Sequence, residues 1–239
     1  MARRSQRWLI TGVLLVALGS LIVFLRPHWV VSWLAKRSPD VLFFVETTRP
    51  VVALTIDDGP DEDTTPLILD VLDRHGAEAT FFVITDRIAG NEELLTRAVL
   101  AGHELGNHLT RDEPSHRLPI SVFSTELQRA GAELTRFGDV RWFRPGGGWF
   151  SAEMVEAARR AGYGTALGSV YPFDTTLPSP RFVAWYVRTQ VRAGSVIVLH
   201  DGGARGRRTA AALERILPAL ERQGFSVTTL SALADLAGL

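Results

Sequence analysis

Past residue 40 the chain alternates between two hydrophobic periods. Short β-branched or apolar runs bounded by Gly, Pro or Asp predict strands at Val51–Ile56, Ala79–Ile84, His103–Gly106, Val140–Phe143, Gly164–Leu167, Ser195–Leu199 and Ser226–Thr229. Between them apolar residues return every three or four positions. Phe123, Leu127, Ala130, Leu134 and Phe137 form the clearest such face. Similar spacing predicts helices over Pro66–Arg74, Glu92–Ala101, Ala152–Ala161, Phe182–Val191 and Ala210–Arg222, and Gly102, Gly138, Gly162 and Gly224 stand where helix-ending glycines belong. Strands alternating with helices predict an α/β fold: a parallel sheet with helices outside, either open or closed into a barrel.

The first 25 residues follow a different pattern. Arg3, Arg4 and Arg7 precede an uncharged apolar run from Trp8 to Leu25, closed by Arg26 and Pro27. At ~1.5 Å per residue such a helix spans about 27 Å, close to the hydrocarbon thickness of a bilayer. The arginine flank predicts a cytoplasmic amino terminus and an extracytoplasmic remainder. A cleaved signal peptide is the alternative, but the small pair Ala17 and Gly19 lies inside the apolar run. The expected organisation is an uncleaved signal anchor at 1–25 with a transmembrane helix at 8–25, a linker at 26–40 and one domain at 41–239.

Composition narrows the chemistry. The 26 basic and 26 acidic residues cancel, and no basic stripe with interleaved aromatics points to nucleic acid. The absence of cysteine excludes disulfides and thiolate metal sites. In both candidate architectures ligands bind beyond the carboxyl ends of the strands. The polar groups fall there: Asp57-Asp58 after the first strand, Asn107-His108 after the third, Arg144 after the fourth, Asp174 beyond the fifth and His200-Asp201 after the sixth. Five strand ends carrying polar groups predict one shared site. Asp57 and Asp58, as neighbours, point in different directions, so one can bind a metal while the other faces a nucleophilic water. A carboxylate beside a cation stays ionised and can act as a base.

Thr55-Ile56-Asp57-Asp58-Gly59-Pro60 is similar to the first motif of the polysaccharide deacetylases (NodB homology domain, carbohydrate esterase family 4), T-F-D-D-G-P in most members. The resemblance spans residues 41–239, with the motifs in the family's order. It implies a distorted (β/α)7 barrel and the removal of N-acetyl or O-acetyl groups from polymers such as chitin or peptidoglycan. It also implies Asp57 as general base and Asp58 as ligand of a divalent metal, most simply Zn2+. The family's second motif is H-x-x-x-H. Here His108 keeps the first position and Asp112 stands at the second, with His116 an alternative third ligand that would require the chain to turn near Pro114.

Arg144-Pro145-Gly146-Gly147-Gly148 resembles R-P-P-Y-G, which implies that Arg144 orients the base and that a backbone N–H at Gly147 faces the oxyanion. Trp149 is a candidate sugar-stacking surface. Asp174 resembles the second Asp of D-x-x-D-W, with Tyr171 and Thr175 in place of the first Asp and the Trp. Ile197-Val198-Leu199-His200 resembles L-x-H, which implies His200 as general acid held by Asp174, and Leu199 in the acetyl pocket. Arg205, Arg207 and Arg208 read as a solvated loop ahead of the last long helix, with contact to an anionic polymer as the alternative.

The function expected is therefore a membrane-anchored, metal-dependent deacetylase of peptidoglycan or a chitin-like polysaccharide. Two alternatives come from other classes. A catalytically inactive carbohydrate-binding homologue would not need Asp57, Arg144 and His200 together. A metal-free glycosidase using Asp57 and a second carboxylate would leave His108 and His200 without roles.

Overall fold

The structure, a computed structural model, describes Thr11, Gly12, Gly19 and residues 28–239. The expected transmembrane run at 8–25 lies almost wholly outside the described residues. Among the described residues no helix is long and apolar enough to cross a membrane. The chain divides into Met1–Arg37 and Ser38–Leu239. In the first unit, the segment expected as a linker forms a helix, α1 (His28–Arg37). Lys36 and Arg37 occupy its last turn, where positive charge complements the exposed carbonyls, and the Arg37 guanidinium lies 4.6 Å from the Trp33 ring centre.

The second unit is built on eight strands: β1 (Val41–Leu42), β2 (Val51–Asp57), β3 (Thr80–Val83), β4 (Glu104–Asn107), β5 (Trp142–Phe143), β6 (Gly164–Ala166), β7 (Val196–His200) and β8 (Ser226–Thr228). Their order is β1-β6-β5-β4-β3-β2-β7, with β8 also on β2, and every pairing is parallel. Chain beyond the strands draws the two edges together. Val170 bridges Ile197, and the Val45 N–H donates to the Gly194 carbonyl at 2.9 Å. The result is a half-barrel with partial closure at the β7 edge.

Strand alternation separates two cores. Val52, Leu54 and Ile56 of β2 face outward, into a core shared with Ile68, Leu69 and Leu72 of α2 (Thr65–Arg74) and Leu213 and Ile216 of α7 (Gly203–Arg222). Ala53 faces inward with Phe82, Trp142, Ala166 and Val196, and Leu230, Leu233 and Ala234 of α8 (Leu230–Asp235) complete this inner cluster. The Leu230 N–H donates to Thr80 Oγ1 at 2.8 Å, and Trp142 Nε1 donates to Ser231 Oγ at 2.9 Å. Thr80 and Trp142 open their strands, so α8 lies across the amino ends. The opposite end is left for ligands.

The remaining helices are α3 (Glu92–Leu100), α4 (Ile120–Leu134), α5 (Ala152–Arg160) and α6 (Pro180–Gln190). The helix expected to begin at Ala210 starts seven residues earlier, at Gly203, so the basic run predicted as a loop occupies its first turns. The glycines there obscure the helical signal, yet Gly206 is required. A Cβ at that position would collide with Thr64 Oγ1 and Asp201 Oδ1.

Gly194 tests the closure of the barrel. Its φ is +78°, and an added Cβ would meet the Val45 carbonyl oxygen, a backbone atom that cannot swing away. We expect Gly194→Ala to cost about 2 kcal/mol or more, from left-handed strain and overpacking together. A lowered urea midpoint with an unchanged m-value checks it.

Candidate active site

Asp57 ends β2 on the inner face, two residues beyond Thr55. Arg144 follows β5, its N–H bonded to the Asn107 carbonyl at 3.0 Å. Its guanidinium turns inward and is held on every side. Nη1 donates to Asp57 Oδ1 at 2.6 Å and to Thr55 Oγ1 at 2.7 Å. Nη2 donates to the Leu167 carbonyl at 2.8 Å, and Nε to that of Ala166 at 3.2 Å. The guanidinium carbon sits 4.0 Å from the Phe82 ring centre. Both charges are buried, so each requires the other; removing one partner of such a pair costs about 3–5 kcal/mol. The carboxylate of Asp57 is thereby oriented by a rigid donor.

Asp58 is turned away by its backbone. Its φ is +75°, rare for a non-glycine residue, while its N–H still bonds the Phe82 carbonyl at 3.1 Å. Leu109, just after His108, and Phe173, just before Asp174, have φ values of 64° and 59°. Backbone strain thus gathers at three of the loops that carry candidate site residues, as is common where function demands a particular geometry.

His108 Nδ1 lies 2.8 Å from the Arg144 carbonyl oxygen, which requires an N–H on that nitrogen. The other ring nitrogen, Nε2, faces Asp58 Oδ1 at 3.4 Å, and both side chains are buried. Burial alone would raise the Asp58 carboxyl. The His108 hydrogen bond and charge, with the charges of His200 and Arg205, outweigh it and bring the carboxyl down to about 2. Burial alone would lower the His108 imidazole, but the hydrogen bond to Asp58 and the anionic charge of Asp57 and Asp58 raise it. An imidazole fixed through its Nδ1–H and aimed at an ionised carboxylate is a donor arrangement that suits a divalent cation.

The third expected ligand is not gathered with them. Asp112 is half exposed and lies 3.1 Å from Arg87 Nη2 and 3.7 Å from Arg205 Nη2. Arg205 Nη1 is 2.9 Å from Asp58 Oδ2, so one guanidinium spans both carboxylates. Among the described residues no three His, Asp or Glu side chains form a group that could hold a metal. His116, the alternative ligand, is exposed and packs edge-on to Trp149, with ring centres 6.4 Å apart.

His200 closes the site from the other side. It ends β7 in register with Asp57, on the neighbouring strand. Asp174 Oδ2 accepts from the His200 backbone N–H and lies against Nδ1, each at 2.9 Å, and Arg208 donates to the Asp174 carbonyl at 3.2 Å. Burial lowers the imidazole, but the hydrogen bond and charge of Asp174, aided by Asp57 and Asp58, push it up to about 9. An imidazole held there keeps both of its N–H protons at neutral pH. The Asp201 carboxylate, buried among Thr64, Thr65 and the Gly202 N–H, anchors the start of α7.

Gly147 has a φ of +73°, a conformation unavailable without strain to the Tyr of the related motif, and it lies with Trp149 on the exposed rim. Leu199 is placed differently from expectation. It is fully buried in the outer core with Leu54 and Ile56, and alternation puts Val198 on the face of His200. Sequence reasoning passed over Thr55 and Arg87, and read Arg205 and Arg208 as part of a solvated loop. The available signal was the proximity of Arg205 and Arg208 to His200-Asp201.

The family model for polysaccharide deacetylase matches residues 44–166. A peptidoglycan-N-acetylglucosamine deacetylase of Bacillus cereus is 34% identical over 201 residues, covering 81% of this chain and 92% of its own. A chitooligosaccharide deacetylase of a Bradyrhizobium species is 34% identical over 197 residues, covering 77% and 90%. Among solved structures, wild-type BA3943 of Bacillus anthracis, described as a family-4 pseudoenzyme, superposes with a TM-score of 0.74 at 26% identity, covering 81% and 68%. With the half-barrel, the strand-end carboxylates and these matches together, the chain belongs to the polysaccharide deacetylase family.

Proposed function

We propose that the chain hydrolyses acetyl groups, N-linked or O-linked, on peptidoglycan or a chitin-like polysaccharide, with Asp57 as general base and His200 as general acid. The observation that carries this reading is the pairing of a carboxylate locked by Arg144 with a protonated imidazole locked by Asp174, on adjacent strands and in register. The two relatives named for peptidoglycan and chitooligosaccharide support the substrate class. A divalent ion, most simply Zn2+, supplies Lewis-acid polarisation of the acetyl carbonyl when bound. Asp58 and His108 would hold it; the third ligand, Asp112 or alternatively His116, would have to leave its present contacts with Arg87 and Arg205, or with Trp149, to join them.

Asp57 accepts a proton from the attacking water, and the Gly147 N–H stabilises the tetrahedral oxyanion. His200 Nε2 then protonates the leaving nitrogen or oxygen as the bond to the acetyl carbon breaks, and acetate is released. Trp149, 69% exposed on the rim, is a surface on which a sugar ring can stack. We also propose that the apolar run at 8–25 anchors the domain on the extracytoplasmic side. Its support is the arginine-flanked sequence alone.

Incubating the protein with peptidoglycan and with chitooligosaccharides should release acetate, and removal of metal by a chelator should stop it until Zn2+ is restored. Asp57→Asn should lower release by at least about a hundredfold with metal still bound. Oligosaccharide binding without acetate release, whatever metal is supplied, would overturn the hydrolase reading.

The acid has its own signature. His200 must be protonated, so the rate should fall as pH rises through about 9. Asp174→Asn removes the chief group that raises it and should bring this alkaline limb down by about one to three pH units. A pH–rate profile with an unmoved limb would remove His200 from the acid role.

A further inference from the structure

Both oxygens of Asp58 are engaged. Oδ1 faces His108, and Oδ2 faces Arg205 Nη1 at 2.9 Å. The same guanidinium reaches Asp112 Oδ2 at 3.7 Å, so it bridges the two carboxylates that the metal reading assigns as ligands. Arg87 holds this arrangement from the far side, bonding the Asp58 carbonyl and Asp112 Oδ2. Arg205 thus supplies counter-charge to buried Asp58, and a guanidinium a few ångströms from a divalent ion repels it strongly in a partly buried site.

Arg205 has somewhere else to go. It lies on the wall of an open cavity of about 570 Å3 that also presents Asp61, Glu62 and Arg87. The chain enters α7 through Gly202 and Gly203, with φ values of 89° and 51°. The side chain itself is about one-third exposed, so leaving Asp58 requires no opening of the core.

We propose that Arg205 is a built-in counter-cation that competes with the divalent metal for Asp58 and Asp112, so that metal enters only as the guanidinium withdraws into the open cavity. This rests on the metal-dependent reading above. It is opposed to a supporting role, in which Arg205 would orient Asp58 for the metal and its loss would weaken binding.

Direction separates the two. Zn2+ alone is titrated by calorimetry into the chelator-stripped full chain, its Arg205→Ala variant and an Arg207→Ala control. Arg207 removes the same charge from the same helix turn but faces Asp63 at 3.8 Å. We expect Arg205→Ala to bind Zn2+ at least about tenfold more tightly, equivalent to about 1.4 kcal/mol, and Arg207→Ala to stay within about twofold of the parent. Arg205→Lys keeps the charge without the two-pronged reach and should fall between, which preserves the test if the alanine variant does not fold. Unchanged or weaker binding by both Arg205 variants overturns the competition and leaves metal dependence standing. Zn2+ uptake by none of the proteins overturns the metal reading, and the competition with it.

Discussion

A buried guanidinium must find partners for its hydrogens and a counter-charge, and Arg144 finds all of them inside the half-barrel. Its contacts run to β2 through Thr55 and Asp57, to the end of β6 through the Ala166 and Leu167 carbonyls, and to β3 through the Phe82 ring. Its own carbonyl fixes the His108 imidazole beyond β4. One charged residue thus sets the positions of the candidate base, one candidate ligand and the carboxyl ends of the strands around them. The inner face could otherwise have been filled with apolar side chains at lower desolvation cost. Here the interior changes from Ala53, Phe82 and Val196 to Thr55, Asp57 and Arg144 within a few residues along the strands.

The two neighbouring aspartates receive different chemistry from this frame. Asp57 continues the inner row of β2 and meets a cation with no freedom to leave. Asp58, turned by a left-handed backbone, meets His108 and the partly exposed Arg205. A base needs a fixed, ionised carboxylate, while a ligand needs a cation that can be exchanged. Under the roles proposed for Asp57 and Asp58, the difference in burial between Arg144 and Arg205 matches that distinction.

Much of the fold was legible before any coordinates. Seven strands and six helices follow from apolar periodicity, and three of the glycines read as helix ends, Gly102, Gly162 and Gly224, have φ values between 83° and 88°. The elements that were missed are short or disguised. β1 has two residues and α8 has six, too few to show a period, and both depend on long-range pairing. The start of α7 carries glycines that weaken a helix locally but permit its close approach to Thr64 and Asp201. α1 lies where a linker was expected, and only Val31 of it is buried, so no core-facing stripe announces it.

The sequence by itself determined where the chemistry would gather. In a parallel α/β sheet every strand points the same way, so polar groups just past strand ends must meet at one rim. That reasoning brings Asp57, Asp58, His108, Arg144, Asp174 and His200 to one end of the sheet without knowledge of their contacts. Only the tertiary structure decided which cation faces which carboxylate. Asp112 occupies the expected ligand position in the chain but is held by Arg87 and Arg205, and Leu199 adjoins His200 in sequence yet faces the outer core. Such partnerships depend on side-chain direction and on the approach of distant helices, which the local order of residues does not encode.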